Sequence, residues 1–256
     1  MLIVLMSLML QGPTAPPLPP EKYRLDVNTS NELDQTAIGK PKLTGSLVTT
    51  AFVEISMVDT LGGQIAVIHV DSMSLNATGQ MLVELQRRPN AEADARGASV
   101  RIPVVAGRIA GLPRYSDSTN SALGPIAQAA GVLFPTVRRN VKVGQTWADT
   151  THINRAQGAQ KATGEVIVNW TVTGVRPGGG VIIDGVTTGH TRTEDSGSGQ
   201  AMTMASHSTQ HFVLSANGPV WQALVETTGD MSVTAPQIPG AIPGRNTGTM
   251  KVTRLP

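Results

Sequence analysis

VTGVRPGGGVIIDG, residues 172–185, decides how this chain is read. Three consecutive glycines, Gly178 to Gly180, either cradle a phosphate or reverse the chain. A phosphate loop needs its glycines to lead into a helix N-terminus, where free N–H groups and the helix dipole meet the anion, and the Walker form adds a Lys and a Ser or Thr. Here Val181-Ile182-Ile183 follows, a β-branched run that predicts a strand. The glycines therefore predict a turn between two strands.

Working outward, the stretch lies inside TGEVIVNWTVTGVRPGGGVIIDGVTTGHT, which begins at Thr163. An earlier segment, TGSLVTTAFVEISMVDTLGGQIAVIHVDSMSL from Thr44, has the same plan: Thr-Gly, an alternating strand, a glycine break, and a second β-branched strand. Leu47, Thr49, Ala51, Val53, Ile55 and Met57 make one face of the first copy, and Val166, Val168, Trp170 and Val172 that of the second. Gly62-Gly63 hold the place of Gly178 to Gly180, so the turn is used twice. Downstream, VRIPVVAGRIAGL from Val100 matches HFVLSANGPVWQAL from His211, with Gly107 and Gly218 launching further strands. Upstream, KYRLDVNTS at Lys22 matches TWADTTHIN at Thr146.

These repeats predict a mainly β, antiparallel fold: one β-rich domain over 22–256, made of two similar meanders of about five strands each (about 22–118 and 146–256) that form a curved sheet or half-barrel. One principal helix is expected near Ser121 to Phe134, where Leu123, Ile126, Ala127, Ala130, Leu133 and Phe134 recur at helical spacing and Asn120 or Ser121 offers a cap. RRPNAEADARG at Arg87 reads as an insertion of the first copy, a short exposed helix or a loop. APQIPGAIPGRNTG from Ala235 reads as a loop before a last strand around Thr249 to Leu255.

Composition narrows the function. The chain has 256 residues, 15% charged and 3% aromatic, with a net charge of +2, and no Lys/Arg cluster is interleaved with aromatics, which excludes a nucleic-acid partner. There is no cysteine, so disulfides, thiolate chemistry and a lipid-modified N-terminal Cys are all excluded. Met1 to Leu10 is almost wholly apolar, the length of a signal-peptide core and too short to span a bilayer, and Pro13 to Pro20 resembles a linker. Residues 1–21 therefore predict export, to a periplasmic or secreted location. No Lys or Arg precedes the apolar run, which leaves a retained tail, resting on a membrane or on a partner protein, as the alternative.

Repeated long hairpins, few helices and an export segment together resemble the half-barrel fold of the bacterial lipoprotein carriers and their lipid-binding relatives. LFPTVRRNVKVGQTW from Leu133 is similar to a Pro-then-Val-x-Val-Gly-x-x-Trp phrase of uncharacterised exported bacterial proteins. The resemblance implies binding or carrying of an acyl chain in an apolar cavity, without catalysis. It carries over no ligand-contact residue.

The chemical candidates are few. His207 and His211, four apart in HSTQH, share one face of a strand, and His190 is the nearest third ligand; Ser206, Ser208 and Gln210 around them equally suit an exposed polar strip. EDSGSGQ from Glu194 lacks the glycine that a G-x-S-x-G elbow needs two residues before its serine, so Ser196 reads as a turn residue. Asp26, Glu54 and Asp184 stand alone in strand patterns, and the sequons at Asn28, Asn76 and Asn169 are assigned no function. Trp147, Trp170 and Trp221 either line a pocket or anchor the core. Met202, Met204, Phe212 and Leu214 alternate along a strand face opposite the histidines, as core or cavity wall. The expected apolar cleft is thus Trp170, Met202, Met204, Phe212, Leu214 and Trp221, in a protein with no enzyme activity, no cofactor and no metal. The expected partner is a lipid or apolar small molecule. The alternative is an accessory or scaffold subunit of a membrane-associated complex.

Overall fold

The computed structural model describes residues 20–60, 63–105, 108–109, 113–116, 123–134, 141–215, 220–238 and 240–256. The strands are β1 (Glu21–Leu33), β2 (Leu43–Thr60), β3 (Gly63–Thr78), β4 (Ser99–Val105), β5 (Arg108–Ile109), β6 (Arg114–Tyr115), β7 (Thr146–Gln157), β8 (Gln160–Val175), β9 (Val181–Asp195), β10 (Gln200–Leu214), β11 (Val220–Thr234) and β12 (Ile242–Arg254). Three α-helices accompany them: α1 (Gly79–Gln86), α2 (Ala91–Ala95) and α3 (Gly124–Leu133). All the strands join one open, antiparallel sheet in the order β5-β4-β3-β2-β1-β12-β11-β10-β9-β8-β7, with β6 beside β4. The fold is mainly β, two meanders and one principal helix, as the repeats predict. The meanders meet where the first strand pairs with the last. We call the end of the sheet where β1 begins and β12 finishes the upper end.

Alternation along the strands places the core on one face. Ala51 of β2 faces Leu25 of β1, Leu25 faces Val252 of β12, and the row runs on through Ala223, Phe212, Ile183 and Val172 of β11, β10, β9 and β8. Every residue of that row is buried. Register therefore sets the inner face across seven strands at once, because a slip of one residue would turn each of these side chains to the other side. Helix α3 lies over this row, touching β11, β12, β1 and β4, and buries Leu123, Ile126, Ala129, Val132 and Leu133 against it. In sequence α3 stands between β6 and β7, the strands at opposite margins of the sheet.

The opening turn is a turn. Gly178 and Gly179 have φ of 86° and 84°, which a glycine adopts without a Cβ clash, and the Arg176 N–H donates to the Gly180 carbonyl at 2.7 Å. Gly62, Gly107 and Gly218, the cap residues Asn120 and Ser121, and the apolar N-terminal run lie outside the described residues. Two boundaries differ from expectation. The final strand starts at Ile242, seven residues early, because Pro243 stands just past the last β1–β12 pair, Leu33–Gly244, where β1 asks for no N–H. The insertion holds α2, with Ala91 and Ala95 buried rather than exposed, and is preceded by α1, which alternation in β3 had masked.

At the seam between the meanders Tyr23 is buried beside Arg254, and its hydroxyl donates to Glu21 Oε2 at 2.6 Å while Arg254 Nη2 lies 3.0 Å from Glu21 Oε1. Burial, and then the bond to Glu21, push the Tyr23 phenol above its ordinary range. The folded state thus holds a proton that the unfolded chain loses near pH 10. Its contribution is fully present below that pH and is lost as pH rises above it. Urea titrations across that range should show a steeper alkaline loss of stability in the native protein than in Tyr23→Phe, which at neutral pH should cost about 1 kcal/mol.

Candidate functional site

The two meanders differ in what covers their inner faces. In the second, β10 runs as strand for its full length and turns tightly from β9, with Gly197 and Ser198 N–H groups bonded to Asp195 Oδ1 and the Ser196 hydroxyl on the Ala159 carbonyl. In the first, β4 has only its upper half, and α1 and α2 occupy the place of the missing part, packed on β2 and β3. Gly45 permits this contact, since a Cβ there would stand 3.0 Å from the backbone and side chain of Met81. No described helix covers the lower inner face of the second meander. That open stretch carries Val166, Met202, Met204, Met231 and Val233 between Gly164, Gly189, Gly229 and Gly244, whose places on the inner face follow from the register. Met204 and Met231 are half-buried, and Met202 is exposed.

The upper end of the same face is filled. Trp147 and Trp170 stack with centroids 6.3 Å apart, and Phe212 lies 5.8 Å from Trp170. Gly185 makes this possible: a Cβ there would stand 2.6 Å from Trp170 Cζ3, so the indole lies flat on bare backbone. Trp170 Nε1 and Thr49 Oγ1 are buried without a partner.

Of the six expected cleft residues, the structure thus puts Trp170, Phe212 and Leu214 in the packed core, and Met202 and Met204 on the open stretch below them. Trp221 belongs to neither. A bulge pairs Leu214 with Val220 and Val213 with Gln222, which leaves Trp221 as the extra residue at the upper rim, 44% exposed. It is held there between Arg176 and Arg254, 5.6 and 5.5 Å from its ring centroid. Nothing in the local sequence signalled that bulge except Gly218-Pro219 before it.

The histidines occupy the opposite face. His207 has Thr188 and Thr228 as neighbours, and His211 has Asp184 and Leu224. His211 Nδ1 is 2.6 Å from Asp184 Oδ1, an arrangement that orients imidazoles in hydrolases, but the position across from His211 is Leu224 and offers no hydroxyl. Asp26 is occupied by Arg24 and Thr50, and Glu54 faces Lys22. Among the described residues no three metal-ligating side chains stand together. Charged residues form a row on this face: His152, Glu165, His190, Ala205, Asp230, Arg245 and Glu32 on successive neighbouring strands. Beside the Ala205 gap a groove of about 490 Å³ runs between Arg192, Thr203 and Ser232 on one side and His190 and Asp230 on the other. Ala205, Met204 and Met231 also line it, so its lining mixes polar and apolar groups.

No protein-family model matches the chain, and no curated protein matches it. The geometry must therefore speak alone. Gly185→Val should overpack the Trp170 site and cost about 1–3 kcal/mol in a urea titration. His207→Ala, His211→Ala and Ser196→Ala, on exposed positions, should each stay within about 0.5 kcal/mol of the native protein in the same experiment.

Proposed function

We propose that the protein is a non-enzymatic, exported binder of an apolar or lipid-like ligand, held on the open lower inner face of the second meander. The observation that carries this reading is the difference in cover: the first meander closes the equivalent surface with α1 and α2, and no helix among the described residues covers it in the second. An acyl chain laid there would meet Val166, Met204, Met231 and Val233, with Trp170 and Phe212 as the wall at its upper end. Methionine thioethers adapt to ligands of varied shape, and Met231 lies over the bare backbone of Gly244. Export is supported by the apolar run at Met1 to Leu10.

A scaffold role is the second reading, and one observation favours it. Strand β7, at the edge of the sheet, is 12 residues long with no proline, and its outer side has no strand partner among the described residues. The opposite edge is blunted by two-residue strands and by Pro103 in β4.

Native mass spectrometry of the purified full chain, followed by lipid extraction, separates the two. We expect co-purifying lipid, lost in Met204→Asp, whose melting temperature should stay near that of the native protein because the side chain is only half-buried. A protein that is empty of lipid and elutes with a large complex overturns the binder and leaves the scaffold.

A further inference from the structure

The two ends of the sheet differ in chemistry. The described lower turns are mostly polar or small residues, as at Gly158-Ala159, Asp195 to Gly199 and Asp34 to Lys42, and their large apolar residues Ile38 and Ile238 are half-buried. At the upper end Val58, Val105, Ile109, Val143, Val175 and Trp221 are all exposed, on or beside five different strands and the segment before β7. Elsewhere large exposed apolar residues stand on the strand faces or, as Leu82 and Val83, on α1. Water-exposed valines at the tips of several hairpins gain nothing in an isolated molecule, and together they make a discontinuous apolar rim.

Two further features lie at this rim. Arg176 and Arg254 flank the exposed Trp221, and Arg176 has no carboxylate partner among the described residues. An indole with two guanidinium groups within 6 Å of its ring centre combines an apolar body with positive charge, the combination that settles at a bilayer interface carrying anionic headgroups. The described chain also starts here: Glu21, the first residue of β1, pairs with Ile55 and bonds Arg254 at this end, and the apolar run Met1 to Leu10 precedes it in sequence through the proline-rich spacer.

From these observations we propose that the upper rim is a membrane-docking surface for bilayers containing anionic lipid, with Trp221 at the headgroup level and Arg176 meeting headgroup charge, while Arg254 stays paired with Glu21. The surface is separate from the methionine stretch, and the proposal does not rest on ligand binding there. It orients the molecule: the β1–β12 seam stands along the membrane normal, and the polar turns face away.

Trp221 reports its own position, because Trp147 and Trp170 are buried and serve as internal references. The full-length protein is mixed with phosphatidylcholine vesicles, with and without phosphatidylglycerol, in which part of the phosphatidylcholine carries brominated chains. We expect binding to the anionic vesicles with quenching of tryptophan emission, and no quenching in Trp221→Phe. Arg176→Gln should lower partition into anionic vesicles about fivefold and leave the weaker partition into neutral vesicles unchanged. Met204→Asp should leave both unchanged. Binding without quenching of Trp221, which would mean that the N-terminal run or another face makes the contact, overturns the proposal. So does the absence of binding to anionic vesicles, the result expected if a protein covers this rim.

Discussion

Everything in this structure depends on the pairing of its first strand with its last. From Tyr23–Arg254 to Leu33–Gly244, β1 and β12 exchange backbone bonds along nearly their whole length. Without that seam the molecule is two separate meanders, each with a raw inner edge and half an apolar face. With it, the row from Ala51 to Val172 becomes one surface, and α3 gains a floor on both sides of the join. The buried Tyr23, its bond to Glu21 and the Arg254 ion pair sit at the upper end of the same seam, where a mismatch would leave a phenol and two charges without partners.

Between the packed upper end and the methionine stretch of the second meander, polar groups are paired within the face. The buried Ser208 hydroxyl meets Thr227 Oγ1 at 2.9 Å, and Gln210 donates to the buried Thr187 at 2.7 Å. Short hydroxyl side chains that bond to one another across strands need no helix above them. The first meander, with Leu47, Leu75 and Ala77 in comparable places, does need one, and α1 and α2 supply it. One architecture thus carries two treatments of the same surface, a covered one that stabilises and an open one that leaves apolar side chains within reach of a ligand.

The strand class, the two meanders, the turn at Gly178 and the helix over Ile126 were legible in the sequence because each is written locally, in alternation, glycine position or helical spacing. What was not legible was written across strands. That Trp170 would be sealed in the core depends on Gly185, its neighbour on β9, and on Phe212 one strand further. That Trp221 would leave the inner face depends on a bulge, which shifts alternation by one residue without changing composition. The part of the cleft that did emerge together, Met202 with Met204, shares one strand and one face. Helix α1 was missed because GQMLVELQ follows a long strand with only a glycine between, and its identity comes from what it packs on.

Along the sheet the strand order runs from β7 to β12 and then from β1 to β5, an antiparallel succession of sequence neighbours in which, apart from the short β4–β6 pairing, the described joint between non-consecutive strands is the seam. The chain is in this sense a simple meander that has been opened at one place and joined at another. A ribosome delivers β1 and β2 well before β12, so β1 has one of its two neighbours early and must wait for more than 200 residues of chain before it meets the other. Local hairpins form on the microsecond scale, whereas contacts between distant parts of a chain come slowly. Until Ile242–Arg254 has been made, therefore, the first half carries an unsatisfied row of β1 backbone groups, and these thirteen residues are the ones that turn two half-sheets into one.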